Sequence, residues 1–237
     1  MVEKSQTPEM FSSIARRYDL LNHVLSLNVD RGWRHALVEM SGLGESPQGK
    51  EGEVLDVATG TGDVAIEFAR RSRARHIVGL DRSAGMLEVA RRKIGRLKLD
   101  GRIEVIEGDA LGLPFDDRTF DAVTIAFGLR NLPDYAAGVR EMVRVLKPRG
   151  RLLVLELFPP TSGAFLQLYR LYLKTVLPVV GRAVSGSKEA YDYLSSSIQG
   201  FASHDEVRCF FDDAGLSDVQ SRKLAGGVSF IYRGVKE

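Results

Sequence analysis

The amino-acid sequence predicts a doubly wound α/β fold: a mostly parallel, seven-stranded sheet, with N-terminal helices before it and a helical insertion after strand five. Three observations carry this. From residue 53 onward, short apolar runs alternate with helical patterns, the grammar of a parallel sheet with crossover helices. The run 151–158 is almost wholly apolar, as befits a strand buried on both faces. A glycine-rich turn, Gly60-Thr61-Gly62, joins the first strand to the helix after it.

The elements follow in order. Residues 8–27 read as a helix, with Phe11, Ile14, Ala15, Tyr18, Leu21 and Leu25 at spacings of three and four. A second helix is expected from Asp30, as its N-cap, to about Met40. The stretch 41–52 is rich in Gly, Ser and Pro and reads as a linker. Strands are expected at 53–58, 76–80, 102–106, 120–126 and 151–158. Helices are expected from the glycine turn to about Arg71, from Ser83 to about Leu97, and over 135–146. Lys147-Pro148-Arg149-Gly150 reads as the turn closing the last of these. Residues 159–199 contain aromatic-rich helical patterns and no strand pattern. A helix at 204–214 and strands at 217–224 and 228–233 complete the chain. Right-handed crossovers fix the winding. An insertion after strand five belongs above the carboxyl ends of the strands, where open α/β sheets bind ligands.

Composition narrows the partners. The chain has 33 basic and 31 acidic residues, a net charge of +2. That balance argues against a nucleic-acid binder, which needs a basic surplus to meet phosphates. Cys209 is the single cysteine, so no internal disulfide can form. It sits in an apolar helical pattern and is expected to be buried. The four histidines, His23, His35, His76 and His204, are scattered, and no metal site is expected. The N-terminus lacks the shape of a signal peptide, and no stretch approaches the roughly 18 apolar residues that span a bilayer. A cytoplasmic protein is expected, with room for contact at the inner membrane surface.

The glycine turn sits in Asp56-Val57-Ala58-Thr59-Gly60-Thr61-Gly62-Asp63. Glycines let a ligand approach the backbone closely, and the helix N-terminus beyond offers free N–H groups. Two ligand classes fit. Gly60-Thr61-Gly62-Asp63-Val64-Ala65 matches G-x-G-x-x-A with Asp81 about 20 residues on, as a dinucleotide site would. Against a pyrophosphate stand Asp56 and Asp63, whose negative charge suits a cofactor carrying a sulfonium and an ammonium. Asp81, at the tip of strand two, is placed to accept from both hydroxyls of a ribose, or else to cap the helix from Ser83. Asp109, in Gly108-Asp109-Ala110, is placed to reach an adenine amine, or else is a turn residue.

Together, the Asp56…Gly62 loop, Asp81 and Gly108-Asp109-Ala110 resemble the Rossmann-like class I methyltransferases. Other segments resemble the quinone-biosynthesis C-methyltransferases more narrowly: Tyr18-Asp19-Leu20-Leu21-Asn22, Trp33-Arg34, Leu113-Pro114-Phe115, Phe127-Gly128-Leu129-Arg130-Asn131, Arg144-Val145-Leu146-Lys147-Pro148 and Tyr191-Asp192-Tyr193-Leu194. The resemblance covers about residues 10–235. It implies S-adenosyl-L-methionine as cofactor, with Thr61, Asp81, Asp109 and Ala110 as contacts beside Asp56, Gly60 and Gly62 of the loop. It implies one methyltransferase domain, with a helical cap over 1–45 on the substrate side, a cofactor-binding core over 53–158, a lid over 159–199, and a final helix and strands over 200–237. Three positions depart from the family pattern. Thr59 replaces a glycine and is expected in an ordinary backbone region. Arg149 stands where glycine is common. Ala126 stands where some relatives carry a serine and is left out of the site.

The implied reaction is C-methylation of a polyprenylated quinol in menaquinone or ubiquinone biosynthesis, with demethylmenaquinol favoured. A small-molecule O- or N-methyltransferase is the alternative inside the class, and an NAD(P)-dependent oxidoreductase the alternative outside it. A proton must leave the quinol hydroxyl or the ring carbon. The candidates for this work are Arg130, Asn131, Tyr18 and Asp19, with His23 as a weaker one. Arginine is a poor base, so Arg130 is expected to stabilise a developing phenolate. The apolar stretch 165–180, with Arg170 and Lys174 its only charges, is expected to pack as a lid or to meet lipid. A homodimer is compatible with the sequence.

Overall fold

The computed structural model describes residues 7–26, 28–44, 51–159, 167, 171, 175 and 188–237. Its core is one seven-stranded sheet with strand order β3-β2-β1-β4-β5-β7-β6. The strands are β1 Gly52–Val57, β2 Ala74–Asp81, β3 Ile103–Glu107, β4 Phe120–Ala126, β5 Leu146–Leu157, β6 Leu216–Leu224 and β7 Ser229–Lys236. The helices are α1 Thr7–Leu25, α2 Asp30–Ser41, α3 Asp63–Arg71, α4 Ala84–Arg96, α5 Tyr135–Arg144, α6 Lys188–Gln199 and α7 His204–Asp213. The first five strands pair in parallel, whereas β7 runs antiparallel to both β5 and β6. Only Ala225–Gly227 and Val228 separate β6 from β7, too short a link for a parallel crossover.

Each strand feeds two cores because successive side chains point to opposite faces. On β1, Leu55 and Val57 join one cluster with α5 and α7 residues such as Met142 and Phe211. Val54, of opposite alternation, joins the other with Leu37 of α2, Phe68 of α3 and Ile94 of α4. The strand order reverses between β1 and β4, and the carboxyl ends of these two strands open the crevice where such sheets bind ligands.

Several local expectations change. Asp30 is not an N-cap: Val29 holds that position without a side-chain cap, and Asp30 is the first helical residue. Its buried carboxylate instead accepts from Ser26 Oγ and Arg34 Nη2, both at 2.6 Å. The segment after α2 is not simply a linker, since Leu43 is buried and Gly44 bridges to Ser72; residues 45–50 lie outside the described residues. The Lys147–Gly150 segment belongs to β5, where the pairing register slips between Phe120 and Ala122 of β4. Arg149 there has φ +64°, which explains why a glycine is at home at that position. Thr59 is absent from the left-handed residues, as expected, and Ala58 before it takes φ +52° instead.

Cys209 is exposed, not buried. Helix α7 turns Val207 and Phe211 into the core, one helical turn apart. Cys209 lies two residues from each, about 200° round the helix, and so faces solvent. Of the expected lid at 165–180, Gln167, Leu171 and Thr175 are helical and exposed; the rest, including Arg170 and Lys174, lies outside the described residues.

Candidate active site

The loop after β1 is built around a carboxylate that faces inward. Asp56 is 1% exposed. One of its oxygens accepts the Thr59 hydroxyl at 2.6 Å and the other the Thr124 hydroxyl of β4 at 3.0 Å. Burial pushes its pKa up from 3.8 to about 7 despite these bonds. Asp56 therefore ties the loop to two strands from beneath and does not line the cleft above it. Gly60 does, at φ +57° with open space where a Cβ would project. Gly62, at φ +83°, caps α3 and packs so closely that a Cβ would sit 3.3 Å from Ala90 of α4.

Asp81, at the tip of β2, lines the cleft. The Gly60 and Ser83 backbone N–H groups each donate to a different oxygen of its carboxylate, both at 2.8 Å. Burial nevertheless raises its pKa, against the backbone hydrogen bonds from Ser83, Gly60 and Arg82. Ser83, not Asp81, is the N-cap of α4; Asp81 accepts the N–H of that cap residue and also lines the cleft. Asp109 stands beside the cleft lining, between Gly108 and Ala110, which are part of it. Its carboxylate accepts the Leu111 N–H at 3.0 Å and lies 3.7 Å from Arg82.

The front wall of the cleft is α1, through Thr7, Pro8, Phe11 and Tyr18. Buried Ile14 and Ala15 seat α1 there, and polar contacts add to them. The Ser12 and Ser83 hydroxyls meet at 2.7 Å. Asp19 accepts from the Thr61 hydroxyl and from Lys93 of α4, the latter at 2.7 Å. Lys93 also pairs with Asp63, which lies 3.4 Å from Arg34. Thr61 and Asp19 are thus joined to each other behind the loop, and Asp19 has both oxygens engaged. The negative charge expected to repel a pyrophosphate is largely compensated: Asp63 is paired with two cations, and Asp56 is near its midpoint at neutral pH. Charge at the loop does not decide the ligand.

The far wall is the turn after β4, with Ala126, Phe127, Gly128 and Asn131 on the lining. Arg130 is behind it. Its guanidinium is 5% exposed and forms an ion pair with Glu156 of β5, itself fully buried. The Glu156 carboxylate also accepts the N–H of Arg130 at 3.2 Å and of Leu157 at 2.8 Å. The sequence missed Glu156, read only as part of an apolar strand, although one acid inside an otherwise apolar run was a visible signal. It also left out Ala126, which the fold puts on the lining. Tyr193 falls in the Tyr191–Leu194 motif, where sequence alone shows no role for it; its hydroxyl donates to Asn131 Oδ1 at 3.0 Å. The side chain of His23 lies outside the described residues.

The residues present fit an adenosyl cofactor. Asp81 offers acceptors suited to paired hydroxyls, Gly60 clears space beside it, and Leu80, Met86 and Ala110 give apolar surface for a flat base. Among the described residues, no group of three or more His, Cys, Asp or Glu could hold a metal ion.

The model of the ubiE/COQ5 methyltransferase family matches residues 1–236. The chain belongs to this family. A protein of the ubiE/COQ5 family from Deinococcus radiodurans, named demethylmenaquinone methyltransferase, is 49% identical over 96% of this chain and 91% of its own length. Another from Geobacter sp., named ubiquinone/menaquinone biosynthesis C-methyltransferase, is 44% identical over 96% and 94%. The ubiE/COQ5 chain is accordingly an S-adenosyl-L-methionine-dependent C-methyltransferase of quinone biosynthesis. Its fold is shared more widely. A S-adenosylmethionine-dependent methyltransferase from Aquifex aeolicus superposes with a TM-score of 0.60 at 20% identity, covering 86% of this chain and 89% of its own. The [4+2]-cyclase SpnF superposes at 0.65 and 17%, covering 99% and 97%. A sheet that also carries a cyclase shows the fold alone, and the chemistry lies in the residues of the site.

Proposed function

We propose that this enzyme transfers a methyl group to a ring carbon of a polyprenylated quinol, with demethylmenaquinol as the preferred substrate and menaquinol as the product. The observation that carries this reading is the division of the cleft. One half is glycine and carboxylate around Asp81; the other is aromatic and amide, from Phe11, Tyr18, Phe127 and Asn131. A flat, weakly polar ring suits the second half.

Bound S-adenosyl-L-methionine supplies an electrophilic methyl group on a sulfonium. The chain does the rest by placement. Asp81 would hold the nucleoside end through the ribose hydroxyls, with Gly60 and Ala110 beside it on the lining and Asp109 next to them. Asp56 and Thr61 act at one remove, fixing the loop from below and tying it to α1 through Asp19. The walls from α1 and the turn after β4 hold the ring face-on, and such orientation is worth several kcal/mol of barrier. Asn131 and Tyr18 flank the ring, where hydrogen bonds to a hydroxyl oxygen stabilise the charge left as its proton passes to water. After the methyl bonds to the ring carbon, that carbon's own proton is lost and the oxygen regains one, so one proton is released to solvent per turnover. Asp19, engaged by Thr61 and Lys93, is removed from proton transfer. Arg130 acts from behind Asn131 and is compensated by Glu156, so its role is to set the turn. No described helix is long and apolar enough to cross a membrane. The prenyl-tailed substrate is met by peripheral contact with the membrane surface in this reading.

Two measurements test it. Turnover with a reduced short-tail demethylnaphthoquinol should place the new methyl on ring carbon by NMR, faster than with the corresponding benzoquinol; a methyl on oxygen overturns the reading. Asp81→Ala should weaken binding of S-adenosylhomocysteine by about 1–3 kcal/mol, the scale of a lost charge-assisted hydrogen bond. Titration calorimetry showing unchanged affinity would remove Asp81 from the site.

A further inference from the structure

Asn131 presents an amide, and an amide has chemically opposite ends: two N–H donors on nitrogen and an acceptor oxygen. The fold decides which end faces the cleft. Asn131 Nδ2 donates to the Phe127 carbonyl at 3.3 Å, and Oδ1 accepts the Tyr193 hydroxyl at 3.0 Å. Turned over, the amide would set its oxygen against the Phe127 carbonyl, two acceptors face to face. Phe127 holds its carbonyl there with φ +57°, in the left-handed region that a bulky residue rarely adopts. Strain of this kind persists where the surroundings over-determine it. With one N–H on Phe127 and the oxygen covered by Tyr193, the second N–H is the group left to meet a ligand.

Tyr193 is itself held from three elements. It belongs to α6, is 8% exposed, and packs edge-on to Phe11 of α1 with ring centroids 6.3 Å apart. Phe11 in turn packs edge-on to Tyr18 at 5.8 Å. Burial raises the Tyr193 pKa, although the Thr7 hydroxyl and the Arg130 charge pull the other way, and the protonated phenol donates to Asn131 Oδ1, since the Asn131 Nδ2 is turned to the Phe127 carbonyl.

We infer that Tyr193 is a positioning residue for methyl transfer: it locks the Asn131 amide so that an N–H, not the oxygen, faces the substrate ring. The lock makes Asn131 a donor to a developing phenolate and unable to accept the departing proton. Because Tyr193 leans on Thr7 and Phe11, it also makes the amide's orientation depend on α1 being in place. This inference rests on the quinol C-methylation proposed above.

Tyr193→Phe keeps the ring and its contact with Phe11 and removes only the hydroxyl. On reduced demethylnaphthoquinol it should lower kcat by about tenfold to a hundredfold, the scale of misorientation, while affinity for S-adenosylhomocysteine stays within about twofold. In an Asn131→Ala background the same change should add no further loss, because both act through one amide. A normal kcat in Tyr193→Phe, or losses that multiply in the double variant, would overturn the inference. A second readout needs no turnover. The side-chain amide signals of Asn131 in a 15N-labelled protein, identified by their absence in Asn131→Ala, should shift in Tyr193→Phe, and unchanged signals also overturn it. A Tyr193-dependent amide signal in an enzyme inert toward quinols would support the lock and refute the assigned substrate.

Discussion

Glu156→Ala should destabilise the enzyme by about 3–5 kcal/mol in chemical denaturation, the usual result of stranding one member of a buried ion pair. Glu156 is fully buried, and its partner Arg130 is 4% exposed. The variant leaves the guanidinium without its counter-ion in a space where Arg130 Nε already has no hydrogen-bond partner. It also removes the acceptor for the backbone N–H groups of Arg130 and Leu157. Glu156→Gln keeps an acceptor for those groups and loses only the charge, so its loss should be smaller. If both variants unfold at the wild-type denaturant concentration, the pair contributes nothing and the turn after β4 is held by other contacts.

The functional consequence follows from the geometry of that turn. Arg130 and Asn131 are adjacent, one aimed inward at β5 and the other outward at the cleft. Anchoring the first fixes the second. The sequence motif Arg130-Asn131 therefore combines an anchor and a ligand-facing group, which linear reading assigned to one chemical role.

What was legible in the sequence divides along the same line. Periodicity found all seven strands, since a strand or helix carries its signal in consecutive residues: β4 falls at 120–126 as expected, and Ser83 caps α4. Gly60 and Asp81 could be picked out from a glycine turn and a strand-end acid, and Ala110 only through the family resemblance; all three line the cleft. What was hidden depends on contacts between distant residues. Glu156 finds Arg130 across 26 positions, and Tyr193 finds Asn131 across 62. Asp19 carries a carboxylate that suits proton transfer on paper, yet α1 folds it onto Lys93, 74 positions away. Cys209 departs from expectation for a simpler reason: its neighbours are apolar, and only the rotation of α7 shows which of them the core takes. The antiparallel pairing of β6 with β7 follows from a link that the expected strands 217–224 and 228–233 already show to be short, whereas the insertion of β7 between β5 and β6 rests on pairing with a distant strand.

Removing the charge of Asp56 should change how stability depends on pH. The folded-state pKa of Asp56 is raised from 3.8 to about 7, burial being the largest cause. The folded protein therefore holds this proton more tightly than the unfolded chain does. Between about pH 4 and pH 7 the unfolded chain has released it and the folded protein has not, so stability falls as pH rises through that window and levels off above it. At about 1.4 kcal/mol per pH unit the full effect is on the order of 4 kcal/mol. Asp56→Asn keeps the shape and can still bond Thr59 and Thr124, whose hydroxyls both donate and accept, but it does not titrate. Its denaturation midpoint should vary with pH much less than that of the wild type between pH 5 and pH 8. Asp81, also raised by burial, contributes in the same direction in both proteins, so some slope should survive. Parallel pH profiles for the two would mean that Asp56 is already ionised in the fold, with Thr59 and Thr124 supplying enough hydrogen bonding to overcome its burial.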